Sequence, residues 1–264
     1  MVGEGHFLPA LKDDDAGTQK GSDFGKDDIV ICPDGTLLIP IKPVVQPVKI
    51  INELKGKELC IHNKMENTKN NYIAGVMSNF KGNSVFDIKI VSVPTLSDNE
   101  NGKTTHVSNS KTILIQINSS KANGKPGLSL AKTILHEYIH ARMVSMLGTK
   151  LVPTAPDAVK FRNTYDSYEK TEFEPTPAHQ TMADLYVNSM AEGLASFHKN
   201  ELKEDYNKYK SAFGEFPSFD FYKALAWEGL SNQGVTAWTN LPESERKKFT
   251  TLQARTGMLT NLCN

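Results

Sequence analysis

The stretch SLAKTILHEYIHARMVSML, residues 129–147, combines mostly apolar side chains with the pattern H-E-x-x-H. Apolar residues occur all round the predicted helix, which indicates that it is buried. His136 and His140 are four residues apart, so on a helix they lie on one face and can offer ring nitrogens to one metal ion. Glu137 can reach a water at such an ion as general base without being a ligand. The stretch therefore predicts a catalytic zinc helix.

The alternative is a chance match, in which His136 and His140 are core histidines that bind no metal. Polar groups without partners cost free energy inside a buried helix, so two histidines and a glutamate there need a reason. A chance match would more often fall in a polar loop. Gly148 follows at a predicted C-cap, and the breaker NGKPG precedes the helix at residues 123–127. We therefore favour the zinc interpretation.

Composition and charge limit the classes of function. The chain has 264 residues, enough for one large or two small domains, and its 30 basic and 30 acidic residues cancel. No basic stripe indicates a nucleic-acid partner. No apolar run approaches the roughly 20 residues that span a bilayer. The N-terminal residues lack the features of a secretory signal peptide, so we expect a cytosolic protein, export by another route, or a piece of a longer chain.

The order of patterns along the chain predicts an α+β fold. Residues 1–48 are predicted to be an extended leader or linker with one short strand at 36–41, and residues 49–264 to be one domain. One or two helices are expected from Lys49 onward. A small mixed or antiparallel sheet should pack on the H-E-x-x-H helix and be followed by a mostly helical C-terminal half. The predicted strands are Val85–Val93, Thr105–Ser108 and Thr112–Asn118, with a turn-rich loop at Ser97–Lys103. The later predicted helices are Asp157–Lys170, Thr176–Phe197, Pro217–Gly229 and Pro242–Met258.

A third metal ligand is needed because catalytic zinc sites usually have three protein ligands. The H-E-x-x-H-x-x-G-x-x-H form fails, since no histidine follows His140 at the required offset. The next long helix offers His179 on its core side, Asp184 on its polar side, and Glu192. His179 and Glu192 are thirteen residues apart, roughly 220° round a helix, so they cannot both face the metal. The residues alone leave His179 and Glu192 open.

Four runs together resemble a group of zincin-like metallopeptidase domains. The runs are ILHEYIHARM (134–143), AHQTMADLY (178–186), FYKALAWEGL (221–230) and TAWTNL (236–241). Such domains occur at the C-termini of large secreted or toxin-type proteins of Bacteroidetes, often after RHS-type repeats, and the resemblance covers roughly Lys49 to Cys263. It implies a histidine ligand at His179 and no counterpart for Glu192, which favours His136, His140 and His179 as ligands of Zn²⁺.

The resemblance also implies an activity and its partners. A zinc metallopeptidase with Glu137 as general base would act on a protein or peptide substrate. A secreted or otherwise delivered toxin domain would also have an immunity protein as partner. We expect the strand Thr112–Asn118 to be the sheet edge that holds the substrate backbone. Tyr165, Tyr168 and Tyr186 are candidates for stabilising the oxyanion.

Three other functions compete with this one. A zinc amidase acting on cell-wall peptides would share the motif and differ only in substrate. A degenerate zinc-binding interaction module would not need Glu137, since a structural zinc site usually has four protein ligands and no base. A DNA-associated protease of the Spartan-like type would carry a zinc ribbon and basic charge. The three cysteines form no C-x-x-C pair, which excludes the ribbon.

The cysteines leave two alternatives open. A disulfide between Cys60 and Cys263 would tie the C-terminal tail to the first predicted helix and would fit export. The other alternative is two free buried thiols. Cys32 would be unpaired in the first case.

Overall fold

The structure is a computed structural model. It describes residues 30–31, 37–38, 50–69, 71–81, 84–94, 96, 100–107, 109–148, 163–165, 175–260 and 263. The chain divides into two units, Met1–Val45 and Gln46–Asn264. In the first unit, β1 (Val30–Ile31) pairs antiparallel with β2 (Leu37–Leu38). Cys32, Tyr168 and most of the predicted helix Asp157–Lys170 lie outside the described residues.

The second unit contains one mixed sheet of four strands. These are β3 (Ile50–Glu53), β4 (Asp87–Val93), β5 (Gly102–His106) and β6 (Thr112–Asn118). Their order across the sheet is β3, β4, β6, β5, with the first three parallel and β5 antiparallel to β6. The predicted α+β class with a mixed sheet is confirmed. The prediction that Thr112–Asn118 forms a sheet edge is wrong, because β6 is paired on both sides, and β5 is the edge beside it.

Helices make up most of the rest of the second unit. α1 and α2 precede β4, the short α3 and the long α4 follow β6, and the helices described from Pro175 onward belong to the C-terminal half. Their bounds are α1 Gly56–Asn67, α2 Asn71–Ser78, α3 Ser119–Ala122, α4 Gly127–Gly148, α5 Pro175–Leu185, α6 Val187–Glu201, α7 Lys203–Phe213, α8 Phe219–Trp227, α9 Thr236–Thr239 and α10 Glu243–Ala254. Two 3₁₀ turns, Ser231–Gln233 and Arg255–Met258, complete this half.

Three local predictions need correction. The segment Ile50–Glu53, predicted as helical, is a strand because its residues pair in parallel with β4. The predicted helix Thr176–Phe197 is interrupted at Tyr186, where ψ is −12°. The helix α7 (Lys203–Phe213) was not predicted, because its sequence is highly charged. Its inward face is carried by few residues, among them Asp205 and Tyr209.

α4 lies at the centre of the second unit. It packs against β5 and β6 of the sheet and against α1, α2 and α6. Almost every residue from Gly127 to Val144 is buried, which confirms the prediction of a buried helix. Gly148, predicted to follow the helix, is its last described residue, and a Cβ added there would lie 2.6 Å from Phe86 Cζ, so a larger residue would require the Phe86 ring to shift.

The C-terminal segment fastens the start of α4. Cys263 is bridged to Cys60 on α1, with Cα atoms 5.9 Å apart and a sequence separation of 203 positions. Such a disulfide typically stabilises a protein by about 2–4 kcal/mol. Thr260 O accepts the backbone N–H of Gly127 at 3.2 Å. Asp205 Oδ1 in turn accepts the Thr260 N–H at 2.6 Å. The structure thus has the bridged alternative for these cysteines.

No helix among the described residues combines the length and the apolar character needed to cross a bilayer.

A buried histidine links α1 to α4. His62 is fully buried, with its Nε2 2.8 Å from Tyr138 Oη and its Nδ1 3.0 Å from Asn52 Nδ2. Burial lowers the pKa of His62 to about 4, although Glu66 nearby opposes this. His62 is therefore neutral in the folded protein at neutral pH.

His62 should make stability depend on pH. Its unfolded pKa is about 6.5, so between about pH 6.5 and 4 the unfolded chain binds a proton that the folded chain does not. Stability is fully present above this window and is lost as the pH falls through it, by about 2–3 kcal/mol at pH 4.5. We expect His62→Gln to remove that part of the difference between urea unfolding at pH 7.5 and at pH 4.5. An unchanged difference would contradict the assignment.

Candidate metal centre

Three histidines converge between α4 and α5. His140 Nε2 lies 3.0 Å from His136 Nε2 and 3.2 Å from His179 Nε2. One ligand atom from each lies within 4.8 Å of the other two. Gln180, beside His179, accepts the backbone N–H of Thr236 at 2.8 Å, which ties α5 to α9. The structure therefore brings together the three predicted ligands, from helices that are far apart in sequence.

The spacing of these nitrogens fits a metal ion. Ligands in a tetrahedral zinc site lie about 2.0–2.1 Å from the ion, which puts two nitrogens about 3.3 Å apart. Burial, then His140, His179 and Lys132 lower the pKa of His136 well below its usual value, and burial and His179 do the same for His140. Burial also lowers the pKa of His179. The rings are therefore neutral, as metal ligands must be, and the three residues can hold a metal ion.

Glu137 lies beside the histidines and is held by β5. Thr104 Oγ1 donates to Glu137 Oε2 at 2.8 Å, and it also lies 3.0 Å from the Glu137 carbonyl oxygen. A Cβ added to Gly102 would be 2.8 Å from Glu137 Cγ, so β5 can approach this side chain only with glycine there. Burial raises the pKa of Glu137 to about 7, while Thr104 and Lys132 act in the opposite direction. The carboxyl group can thus take up and release a proton near neutral pH.

A cavity of about 300 Å³ opens onto these side chains. All three histidines and Glu137 line it, and the segment 100–104 forms one wall. Gly229, with φ of +95°, also lines the cavity, and an added Cβ there would be 4.0 Å from His136 Cε1. Lys132 and Glu228 line it as an ion pair. The candidate metal site is therefore accessible to a small ligand or an extended chain.

Other candidate residues lie elsewhere. Glu192 on α6 and Asp184 on α5 are exposed, and neither lines the cavity. Tyr165 is buried and Tyr186 is half-buried; in the part of the chain that the structure describes, no tyrosine lines the cavity. The predicted oxyanion role of Tyr165 or Tyr186 therefore has no geometric support.

Sequence reasoning missed four residues that shape the cavity. Gly102 and Thr104 stand in a short polar segment that carries no strong pattern. Lys132 did carry a signal, since it is a single lysine within an apolar helix, four residues before His136. Glu228 lies in the run FYKALAWEGL, where nothing marks it as a partner of α4.

Comparisons of the chain with models of protein families, with curated proteins and with solved structures give no match. The resemblance to zincin-like domains therefore stays a prediction from the sequence. What the fold and the site define is a mixed α+β domain with a candidate three-histidine metal centre and an adjacent buried glutamate.

Proposed function

We propose that the chain is a zinc-dependent metallopeptidase with a zincin-like arrangement of sheet and H-E-x-x-H helix. One observation carries the proposal: three histidine nitrogens and the separate carboxylate of Glu137 face the same cavity beside an edge strand. A structural site would usually have four protein ligands and no carboxylate placed for proton transfer.

The donor set supports zinc as the metal. Imidazole suits several transition metals, and three histidines with an open fourth position are a known arrangement of catalytic zinc. When bound, zinc would make a water more acidic, toward a pKa of about 7, and would polarise a carbonyl group. Because all three histidines line the cavity, a water or a substrate group in the cavity could reach a metal ion held by them.

Glu137 performs the proton transfers in this proposal. Its carboxylate accepts a proton from the attacking water and passes it to the leaving amine nitrogen. In the metal-free protein the pKa of Glu137 is about 7, and a bound Zn²⁺ would lower it and so favour the carboxylate form that accepts the proton. Thr104 keeps the carboxylate directed by donating to Oε2. Its hydroxyl thus orients the base without taking part in the reaction.

β5 is the strand on which a peptide substrate would lie. It pairs with β6 along one side, and no described strand pairs with its other side. An extended peptide can add to such an edge through backbone hydrogen bonds. Because Gly102 and Thr104 of β5 contact Glu137, a peptide bound there would run past the base. This strand replaces Thr112–Asn118 as the substrate edge.

The proposal extends to location and partners. The bridge between Cys60 and Cys263 is typical of proteins in oxidising compartments, so we propose that the domain works after export. Its substrate would be a protein or peptide. If the domain is a toxin, its producer would need an immunity protein that covers the cavity.

Metal removal tests the proposed function. We expect the purified protein to hydrolyse peptides from a denatured protein such as casein. Activity should be lost after treatment with 1,10-phenanthroline and restored by one equivalent of zinc, but not by magnesium. Liquid chromatography with mass spectrometry would detect the products. No hydrolysis by the zinc-loaded protein, or hydrolysis that ignores the chelator, would contradict the proposal, and cleavage of cell-wall peptides alone would favour the amidase alternative.

A further inference from the structure

Lys132 places a buried ammonium group in the wall of the cavity. It lies four residues before His136 on α4, so both side chains are on one face of the helix. Only 3% of Lys132 is exposed, although it lines the cavity. A lysine this deeply buried is unusual unless its charge is matched.

The charge of Lys132 is only partly matched. Glu228 Oε1 lies 3.5 Å from Lys132 Nζ, beyond the 2.7–3.2 Å of an ordinary N–H···O hydrogen bond. An ammonium group has three N–H donors, so one distant oxygen leaves it short of acceptors. The Glu228 side chain is 36% exposed, just after the last residue of α8, and water can solvate it when it moves away.

A second lysine, Lys125, lies near the same ion pair. Burial and then Lys132 lower the pKa of Lys125 to about 8, while Glu228 raises it. Glu228 is therefore the acidic group that interacts with both Lys125 and Lys132. Glu137 also lies near Lys132, but its Oε2 already accepts a hydrogen bond from Thr104. Among the described residues, Glu228 is thus the one ion-pair partner of the Lys132 ammonium group, which lines the cavity.

We infer that Lys132 binds a carboxylate of the substrate, with Glu228 occupying that position until the substrate enters. That the bound carboxylate belongs to a peptide being cleaved rests on the proposed peptidase function. The binding of a carboxylate rests only on the position of Lys132. Four residues of helix span about 6 Å, the length of about two extended residues. The carboxylate therefore belongs to a residue within about two positions of the cleaved bond, either as an acidic side chain or as a free C-terminus.

Matched peptides test this inference. The probes are acetylated pentaalanine amide, the same peptide with a free C-terminus, and amides with one alanine replaced in turn by glutamate. Calorimetric titrations use the full zinc-loaded chain with Glu137→Gln, so that no probe is cleaved. We expect at least one carboxylate-bearing peptide to bind about tenfold or more tightly than the neutral one. The peptide that does so identifies the source of the carboxylate.

Two further substitutions on that background should act in opposite directions. Lys132→Met should reduce the preference for carboxylate to about onefold, while Glu228→Gln should increase it several-fold by removing the competing carboxylate. Zinc content, measured for each variant, should remain at the level of the parent. Should Lys132→Met fail to fold, Glu228→Gln still tests the inference from its partly exposed position.

Specific outcomes overturn the inference. These are equal or absent binding of charged and neutral peptides, a preference that survives Lys132→Met, and weaker carboxylate binding in Glu228→Gln. Failure of the proposed function appears differently. In that case the carboxylate preference is present and depends on Lys132, but the protein with Glu137 intact cleaves no peptide in the casein assay.

Discussion

Replacing Glu137 by glutamine should reduce peptide hydrolysis about a thousandfold, within the range of about 10²–10⁴ that general acid–base groups contribute. Glutamine keeps the shape of the side chain and can still accept the hydrogen bond from Thr104 through its amide oxygen. It cannot take a proton from water at neutral pH. The histidines are unchanged, so zinc should remain bound. Measurement of kcat/KM on one peptide identified in the casein digest, with zinc content determined in parallel, checks both expectations.

Unfolding of the Glu137→Gln variant should show whether lost activity reflects loss of the base or loss of stability. In the metal-free protein, burial of the carboxylate disfavours its charged form, as its raised pKa indicates, so an uncharged glutamine should leave that protein at least as stable above about pH 7. Glu192→Gln, an exposed substitution on α6, is the matched control and should retain full activity. Hydrolysis at the parental rate in Glu137→Gln would remove Glu137 from the reaction.

His179→Ala should weaken zinc binding at least about a hundredfold, because losing a ligand exceeds the roughly 10–100-fold effect of losing a residue that only supports one. His179 Nε2 lies 3.2 Å from His140 Nε2. Without His179, the protein would supply only two of the four ligands of a tetrahedral zinc ion. The substitution is on the half-buried surface of α5, so the fold should persist. Competition with a chromophoric chelator gives the affinity directly.

Glu192→Ala decides between the two ligand sets raised by the sequence. Glu192 is exposed on α6 and does not line the cavity, so its removal should leave zinc affinity unchanged. Release of metal by Glu192→Ala, with retention by His179→Ala, would instead support a zincin with a glutamate ligand. Circular dichroism of both variants would show that either result reflects the site rather than unfolding.

The sequence predicted those elements whose signal is local. Apolar residues between two breakers predict α4, and alternating isoleucines predict the strand Thr112–Asn118. Both predictions lie within two residues of the observed bounds. The position of β6 within the sheet was not predictable in the same way. Strand order depends on pairing between distant segments, and only the partners on both sides of β6 show that it is an interior strand.

In the candidate site, too, local sequence signals predicted some residues, and contacts between distant segments determine the others. The spacing of His136 and His140 follows from helix geometry, whereas His179 comes from a helix that tertiary packing brings beside α4. Thr104 was invisible because its segment is short, polar and adjacent to a predicted loop. Lys132 could have been found, since a lysine on the metal-facing side of a buried helix needs a partner. The sequence cannot name Glu228 as that partner, because the contact joins residues nearly a hundred positions apart.

Anomalous diffraction from crystals of the zinc-loaded protein tests the central claim most directly. Data collected above and below the zinc absorption edge should give one peak per chain that appears only above the edge. That peak should lie about 2.0–2.1 Å from the Nε2 atoms of His136, His140 and His179. No such peak, or a zinc peak held by other residues, would contradict the account.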